Sequence, residues 1–458
     1  MRFPSRMPRA AMMPRRIAPP LRLAAALLLA APAAARAQTA DSVPAATACE
    51  EGRDLGSGVC VNAGLLVDGF ANLRGGVRRG AVALGQLTAA TTVDLGEALS
   101  PALDGWRFGA SVVGIYGRQP TANLVGSLAA VSNAEALSAP RLSALWLERS
   151  WEDVLSLRAG QLAVDTEFTV AEAAENLVNG TFGWPVGLAT SLPSGGVAYP
   201  FAAPGARLAL GAPDKGTGLR IGVFSGDPAG RPGEGTDPQR HNRFGTTFSF
   251  SGGTFLIVEA VTGGTAEDGP RPWTAKLGAW TLRRGGFDSQ RLDSAGLSLA
   301  DPDAGPPRRF ANNQGVYGVG EATLWREGPR NLALFARAFA QPGDRNLVSL
   351  QTDAGLAWRG AFGRDDETLS LGASLARIGR DARRLDQDAA AFGDARPERD
   401  HELVLEANYD VALAGGGLHL RPGLQWLLHP AARAIDDREP GRPLKNAVVA
   451  GLRLQAGF

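Results

Sequence analysis

Between Ala447 and Phe458 the chain reads Ala-Val-Val-Ala-Gly-Leu-Arg-Leu-Gln-Ala-Gly-Phe. Val448, Ala450, Leu452, Leu454, Ala456 and Phe458 fall on one parity, and Gly451, Arg453, Gln455 and Gly457 fall on the other. A period of two, with one apolar and one polar face, belongs to a strand lying between two different media. A soluble β-sandwich turns such an apolar face inward. A membrane barrel turns it outward to lipid and keeps the polar face on water. Periodicity alone does not separate the two, so the rest of the chain has to.

The front of the chain favours export. Arg2, Arg6, Arg9, Arg15, Arg16 and Arg22 surround or precede a short apolar run from Leu23 to Ala31, and Ala35-Arg36-Ala37 supplies small residues for cleavage. The run is nine residues long, whereas a spanning helix needs about 20. Residues 1–37 therefore read as a signal peptide cut after Ala37, with a membrane anchor as the alternative. Removing the seven arginines of that segment leaves 40 basic against 46 acidic residues, a net charge of −6. That balance gives no general attraction for nucleic acid. No later apolar run has helix-spanning length, so a membrane location requires a closed barrel, the other structure that satisfies its backbone in lipid. Residues 38–61 read as a periplasmic leader holding the two cysteines, Cys49 and Cys60. They either pair as a local disulfide staple or form a metal or redox pair. The second reading lacks nearby histidines and the usual two-residue spacing.

Short alternating segments separated by Gly, Pro, Asp and Asn clusters recur over residues 62–458. Candidate strands lie near 62–74, 80–95, 105–118, 140–150, 154–163, 205–211, 217–225, 242–251 and 253–261. Others lie near 272–284, 312–326, 330–341, 349–361, 365–378, 399–411, 416–429 and 444–458. Single-chain bacterial barrels have an even number of strands. Long and short connections alternate back from the C-terminus, and that alternation breaks between 242 and 311. One candidate there is in excess, and about 16 strands are expected. Glu406, Asn408 and Asp410 oppose an apolar parity, as do His419, Arg421 and Gln425, and also Arg107 and Ser111. These polar sets are expected to face the lumen. Trp106, Tyr116 and Trp426 suit the aromatic girdles at the membrane interfaces.

The connection from Val164 to Pro204 is unlike the others. It carries Phe168, Phe182, Trp184, Tyr199 and Phe201 together with Asp165, Glu167, Glu172 and Glu175. A loop of roughly forty residues inside a compact domain needs a role. A barrel of this size has an aqueous lumen, and a loop folded into it sets aromatic faces beside carboxylates. Sugars have apolar C–H faces and a rim of hydroxyls, which that combination suits.

The segments Arg158-Ala-Gly-Gln-Leu-Ala-Val-Asp-Thr-Glu-Phe168, Asn179-Gly-Thr-Phe-Gly-Trp-Pro185 and Tyr199-Pro200 resemble the carbohydrate-selective porin (OprB) family. So do Val223-Phe-Ser-Gly-Asp-Pro228, Lys276-Leu-Gly-Ala-Trp280, Leu324-Trp-Arg326 and Leu334-Phe-Ala-Arg-Ala-Phe-Ala-Gln-Pro-Gly-Asp-Arg-Asn346. Leu420-Arg-Pro-Gly-Leu-Gln-Trp426 and Asn446-Ala-Val-Val-Ala-Gly-Leu452 complete the series. No single piece is diagnostic, but their order is specific. The resemblance implies an all-β, transmembrane antiparallel β-barrel of the bacterial outer membrane that lets sugars such as glucose diffuse passively. It does not fix the sugar.

Pore-constriction candidates are Arg107, Trp146, Glu148, Arg158, Asp165, Glu167, Phe168, Phe182, Trp184 and Arg337. Arg107, Arg158 and Arg337 either line the lumen or belong to an ion-pair ladder across the wall. Trp184 and Phe168 are the stacking candidates, and each also has loop packing as its alternative role. Glu167 and Asp165 beside an inward arginine would give a transverse field at the constriction; ordinary solvation is the other reading. A phosphate or general anion porin is the nearest rival. It favours a lysine-rich constriction, and the chain has only Lys215, Lys276 and Lys445. A barrel enzyme needs a nucleophile with a base or paired carboxylates. His241, His401, His419 and His429 lie in no Gly-x-Ser-x-Gly or His-x₃-His context. A structural barrel without conductance is a third reading. No cofactor and no metal is expected. The expected partners are permeating sugars, outer-membrane lipid and, by analogy with porins, two further copies in a homotrimer.

Overall fold

The computed structural model describes residues 52–457 apart from 153, 232–235, 265–270, 395, 414–416 and 437–440. The signal peptide, Cys49 and Phe458 lie outside the described residues, so the Cys49–Cys60 pair stays an expectation. Sixteen long strands run up and down in chain order. They are β1 (Val59–Arg74), β2 (Gly80–Asp94), β3 (Trp106–Gly117), β4 (Ala139–Trp151), β5 (Leu155–Leu162), β6 (Ala203–Ala212), β7 (Thr217–Ser225) and β8 (Thr254–Gly264). The series continues with β9 (Trp273–Arg283), β10 (Asn313–Glu327), β11 (Arg330–Ala340), β12 (Val348–Arg359), β13 (Thr368–Ile378), β14 (His401–Leu413), β15 (Leu418–Leu428) and β16 (Ala447–Gly457). Each pairs antiparallel with the next, and β16 returns to β1 with Arg453 opposite Asp68. Closure leaves no sheet edge, so the ladder satisfies its own backbone without water. Arg53–Asp54 adds a two-residue strand beside the start of β1, which begins three residues before the expected boundary at 62.

The expected count of sixteen is borne out, and the surplus segment is 242–251. It has no rung in the ladder. Its alternation is nonetheless real: Phe248 and Phe250 are exposed while Ser249 is buried. The segment lies along β4 beyond the end of the short β5, where Leu142 N donates to Phe244 O at 2.9 Å. Positive φ at Gly245, Phe248, Gly252 and Gly253 keeps it from running straight. It therefore has a two-faced environment without a strand geometry.

Turns at 152–154, 213–216 and 328–329 are short, and connections at 118–138, 163–202, 226–253, 284–312, 379–400 and 429–446 are long. The short turns mark the periplasmic end and the long connections the outer end. In the outer connection 379–400 an α-helix, α1 (Arg380–Ala391), receives the fork of Arg291 on Asp388 at 2.8 and 3.1 Å. That contact ties it to the connection 284–312.

The two faces of the wall differ as the parity requires. Apolar side chains of one parity stand in the open, Leu277 71 % and Leu452 48 % exposed. In water such a belt would be a large liability; around a closed barrel it is the lipid-facing band. Trp151, Trp273, Trp325 and Trp358 are exposed at strand ends joined by short turns, with Trp106 half-buried at the same end. Tyr116 and Trp426 are exposed toward the outer ends of their strands. These are the two girdles, with Trp106, Tyr116 and Trp426 where the alternation put them. The opposite parity is polar and buried: Asp68, Arg158, Arg207, Glu259, Arg337, Glu406, Arg421 and Arg453 all lie on it.

Candidate functional site

Register builds a charged ladder on the inner wall. Asp94, Arg107, Glu148, Arg158 and Arg207 are successive cross-strand partners from β2 to β6. Directly opposed side chains on one face interact most strongly in such a ladder. Arg158 Nε donates to Glu148 Oε2 at 2.7 Å, and Arg207 Nη2 donates to the same oxygen at 2.9 Å. Glu167 enters from the segment 163–202 and accepts from Arg158 Nη1 at 2.9 Å and from Arg207 Nη2 at 3.2 Å. Burial alone would raise the Glu167 carboxyl, but the guanidinium groups of Arg158 and Arg207 outweigh it and hold the group below the usual carboxylate range. Two arginines and two glutamates thus form one neutralised cluster.

Trp146, two residues before Glu148 on β4, forms the apolar side of this cluster. Its cross-strand partner is Gly109, where a Cβ would stand 2.2 Å from the indole. Only glycine leaves that room. The Arg158 guanidinium lies 4.2 Å from the Trp146 ring centroid, a close cation–π contact. Beside the cluster is a recess with ≈ 80 Å³ of water-accessible space, whose lining includes Ser111, Trp146, Asp165, Glu167, Tyr199 and Arg207. Asp165 Oδ2 accepts from Tyr199 N at 2.8 Å and so ties the two ends of the long segment together.

The remainder of segment 163–202 is held by inward side chains of distant strands. Thr169 N donates to Glu259 on β8, Ala173 N to Glu321 on β10, and Val178 N and Asn179 N to Glu406 on β14, all within 2.6–2.9 Å. Lys276 Nζ on β9 donates to Val170 O at 2.8 Å. An irregular buried segment carries backbone donors that no ladder satisfies, and wall carboxylates accept them here. Arg337 does the converse. It pairs with Asp353 at 2.8 Å and donates to the carbonyls of Thr169, Thr181 and Gly183.

Of the ten residues named from the sequence, Trp146, Glu148, Arg158, Asp165, Glu167 and Phe168 come together here. Phe168 lines the recess but is only 1 % exposed. Phe182 is buried edge-on against Phe335, centroids 6.2 Å apart. Trp184 is half-buried and spends its Nε1–H on Gly195 O at 2.9 Å. Arg337 is wholly engaged in the tether. Arg107 sits on the inward parity near the periplasmic end of β3, in register with Glu148 but outside the recess. Sequence reasoning missed Arg207, Glu259, Glu321 and Asp353, and it read Glu406 as lumen-facing without its role as an anchor of the segment. Arg207 stands on the inward parity of its strand, but only the register shows that it meets Arg158.

A closed sixteen-strand barrel with a polar inner wall and a lipid-facing outer band is the architecture of a diffusion channel of the bacterial outer membrane. Two solved structures of one protein share that fold. A high-pH structure of Pseudomonas putida OprB is 19 % identical, with a TM-score of 0.75 over 88 % of this chain and 94 % of that one. A low-pH structure of the same protein gives 15 % identity and a TM-score of 0.50 over 88 % and 93 %. The outer-membrane channel DcaP of Acinetobacter baumannii gives 12 % identity and 0.48 over 89 % and 99 %. No curated protein matched the chain. The family is set instead by a family model, carbohydrate-selective porin of the OprB family, which matches residues 78–458. With most of the barrel inside that match, the chain belongs to the carbohydrate-selective porin family, OprB.

Proposed function

We propose that the barrel passes glucose and related neutral sugars down their gradient, through a channel narrowed by the inward segment 163–202. One observation carries this reading. The recess beside that segment joins an aromatic side, Trp146 with Tyr199, to the planar hydrogen-bonding groups of Arg158, Arg207 and Glu167, whose charge Glu148 balances by pairing with both arginines. Fixed donors and acceptors in alternation suit hydroxyls, which give and accept in turn. The apolar face of a pyranose suits an aromatic edge. With both arginines already paired to carboxylates, the recess offers little net attraction to phosphate, which weighs against the anion-porin alternative. Assembly as a homotrimer belongs to the same reading, and chemical cross-linking of the detergent-extracted protein tests it. Liposome swelling tests the permeation itself. Glucose should enter faster than gluconate of nearly equal size; equal rates for the two would remove the selectivity, and no swelling would remove the channel.

A further inference from the structure

We propose that His401, His429 and Asp400 form a site for a divalent transition metal of the zinc class, at the outer ends of β14 and β15. One donor atom from each of the three residues lies within 4.8 Å of the other two. The sequence separates them by 28 positions, but the register pairs Leu403 with Leu428 and so brings the start of β14 beside the end of β15. His429 Nδ1 lies 3.1 Å from Asp400 Oδ1, and His401 Nδ1 lies 3.4 Å from Asp400 Oδ2. A tetrahedral ion with ligand bonds of about 2.0–2.1 Å has ligands about 3.3 Å apart. Each histidine Nδ1 stands at about that distance from one oxygen of the Asp400 carboxylate, His429 from Oδ1 and His401 from Oδ2. The two imidazole centroids are 4.7 Å apart, and all three residues are half-buried, open enough to admit an ion.

A second observation points the same way. His429, Ala431, Ala432 and Arg433 all have positive φ, at 52°, 47°, 55° and 74°. Four non-glycine residues in the left-handed region within five positions are costly and collect at ligand clamps. The turn is held in place from both sides. His429 N donates to Asn446 Oδ1 at 2.9 Å, and Ala431 N donates to Glu402 at 2.6 Å. Arg433, on the same turn, places Nε 3.0 Å from Asp400 Oδ2 and 3.5 Å from His429 Nδ1. Its Nη2 is also 3.5 Å from His429 Nε2, so the guanidinium lies alongside the imidazole while pairing with the carboxylate. The Arg433 side chain is 43 % exposed and pairs with Asp400, so a metal would compete with it for the carboxylate. Two imidazoles with one carboxylate select zinc, copper or nickel over calcium or magnesium, which take oxygen ligands. A bound ion would clasp the roots of the outer connections 379–400 and 429–446 to each other.

The test is calorimetric titration of the metal-stripped, full-length barrel in detergent with ZnCl₂ alone. Saturable binding of one ion per chain is expected, weakened more than about ten-fold by His401→Ala and by His429→Ala. Arg433→Gln should strengthen it several-fold, because it removes the competing cation; a purely structural ion-pair cluster has no reason to do so. Boiled and unboiled electrophoretic mobility checks that each variant is folded. Should a histidine variant fail to fold, the visible spectrum of Co²⁺ added to the unaltered protein decides the matter, with intense tetrahedral bands expected. No saturable heat, binding indifferent to both histidines, or a purely hexa-aquo cobalt spectrum would overturn the proposal.

Discussion

Arg453 on β16 and Asp68 on β1 are direct cross-strand partners at the seam where the last strand closes on the first. Nε meets Oδ1 and Nη2 meets Oδ2, both at 2.8 Å. Both side chains are almost wholly buried. Removing one partner of a buried pair leaves the other charge uncompensated, at a cost of about 3–5 kcal/mol. Arg453→Ala should lower the urea midpoint of the folded, heat-modifiable band accordingly. An unchanged midpoint would show that the seam does not depend on this pair.

Arg337 ties three carbonyls of the segment 163–202 to the wall. Hydrogen bonds to a charged group are each worth about 1.5–3 kcal/mol. Arg337→Ala should therefore raise amide hydrogen exchange in residues 169–183 by at least about ten-fold while the strands stay protected. Exchange that rises in β11 and β12 alone would mean that the arginine serves the wall and not the segment.

Glu167 is the loop's contribution to the four-membered cluster with Glu148, Arg158 and Arg207. Glu167→Gln leaves two guanidinium groups facing one carboxylate. The zero-current potential under a KCl gradient should then move toward chloride, as a local excess of positive charge favours anions. A potential that does not move would place the cluster away from the conduction path.

Glu135, in the outer connection 118–138, has its carboxyl pushed by burial from 4.5 to about 7, with Asp68 adding to the rise and hydrogen bonds from Thr121 opposing it. A carboxyl whose folded pKa is raised stays protonated while its unfolded counterpart ionises. The folded connection is therefore favoured below about 4.5 and loses that advantage progressively up to about 7. Protection factors in residues 121–135, with the intrinsic base-catalysed rate divided out, should fall over this interval, and Glu135→Gln should flatten the response. A flat profile in the unaltered protein would contradict the shift.

Much of the barrel was legible in the chain because its wall separates two media, and alternation records that separation strand by strand. The inward sets on β3, β14 and β15 were readable for this reason. Residues 242–251 misled because the same two media act on an extended segment that makes no ladder. Trp146 and Glu148 share a parity that opposes Leu145 and Leu147, and the structure has both on the inner face with Arg158. What parity could not supply is register, which decides that Arg207 meets Arg158 and that His401 meets His429. The segment 163–202 was legible by its length and aromatic content. Its anchors were not, since Glu259, Glu321 and Glu406 are single inward carboxylates on strands far apart in sequence. Phe168 and Trp184 read as stacking faces because sequence does not distinguish an aromatic ring offered to a solute from one packed against a wall.

The most direct measurement is single-channel conductance in a planar bilayer during titration with glucose, maltose and phosphate. Stable conductance steps that glucose or maltose reduces in a saturable manner are expected, with the effect weakened by Trp146→Ala and phosphate leaving the steps unchanged. Steps blocked by phosphate and indifferent to both sugars would contradict it, as would a correctly folded barrel that carries no current.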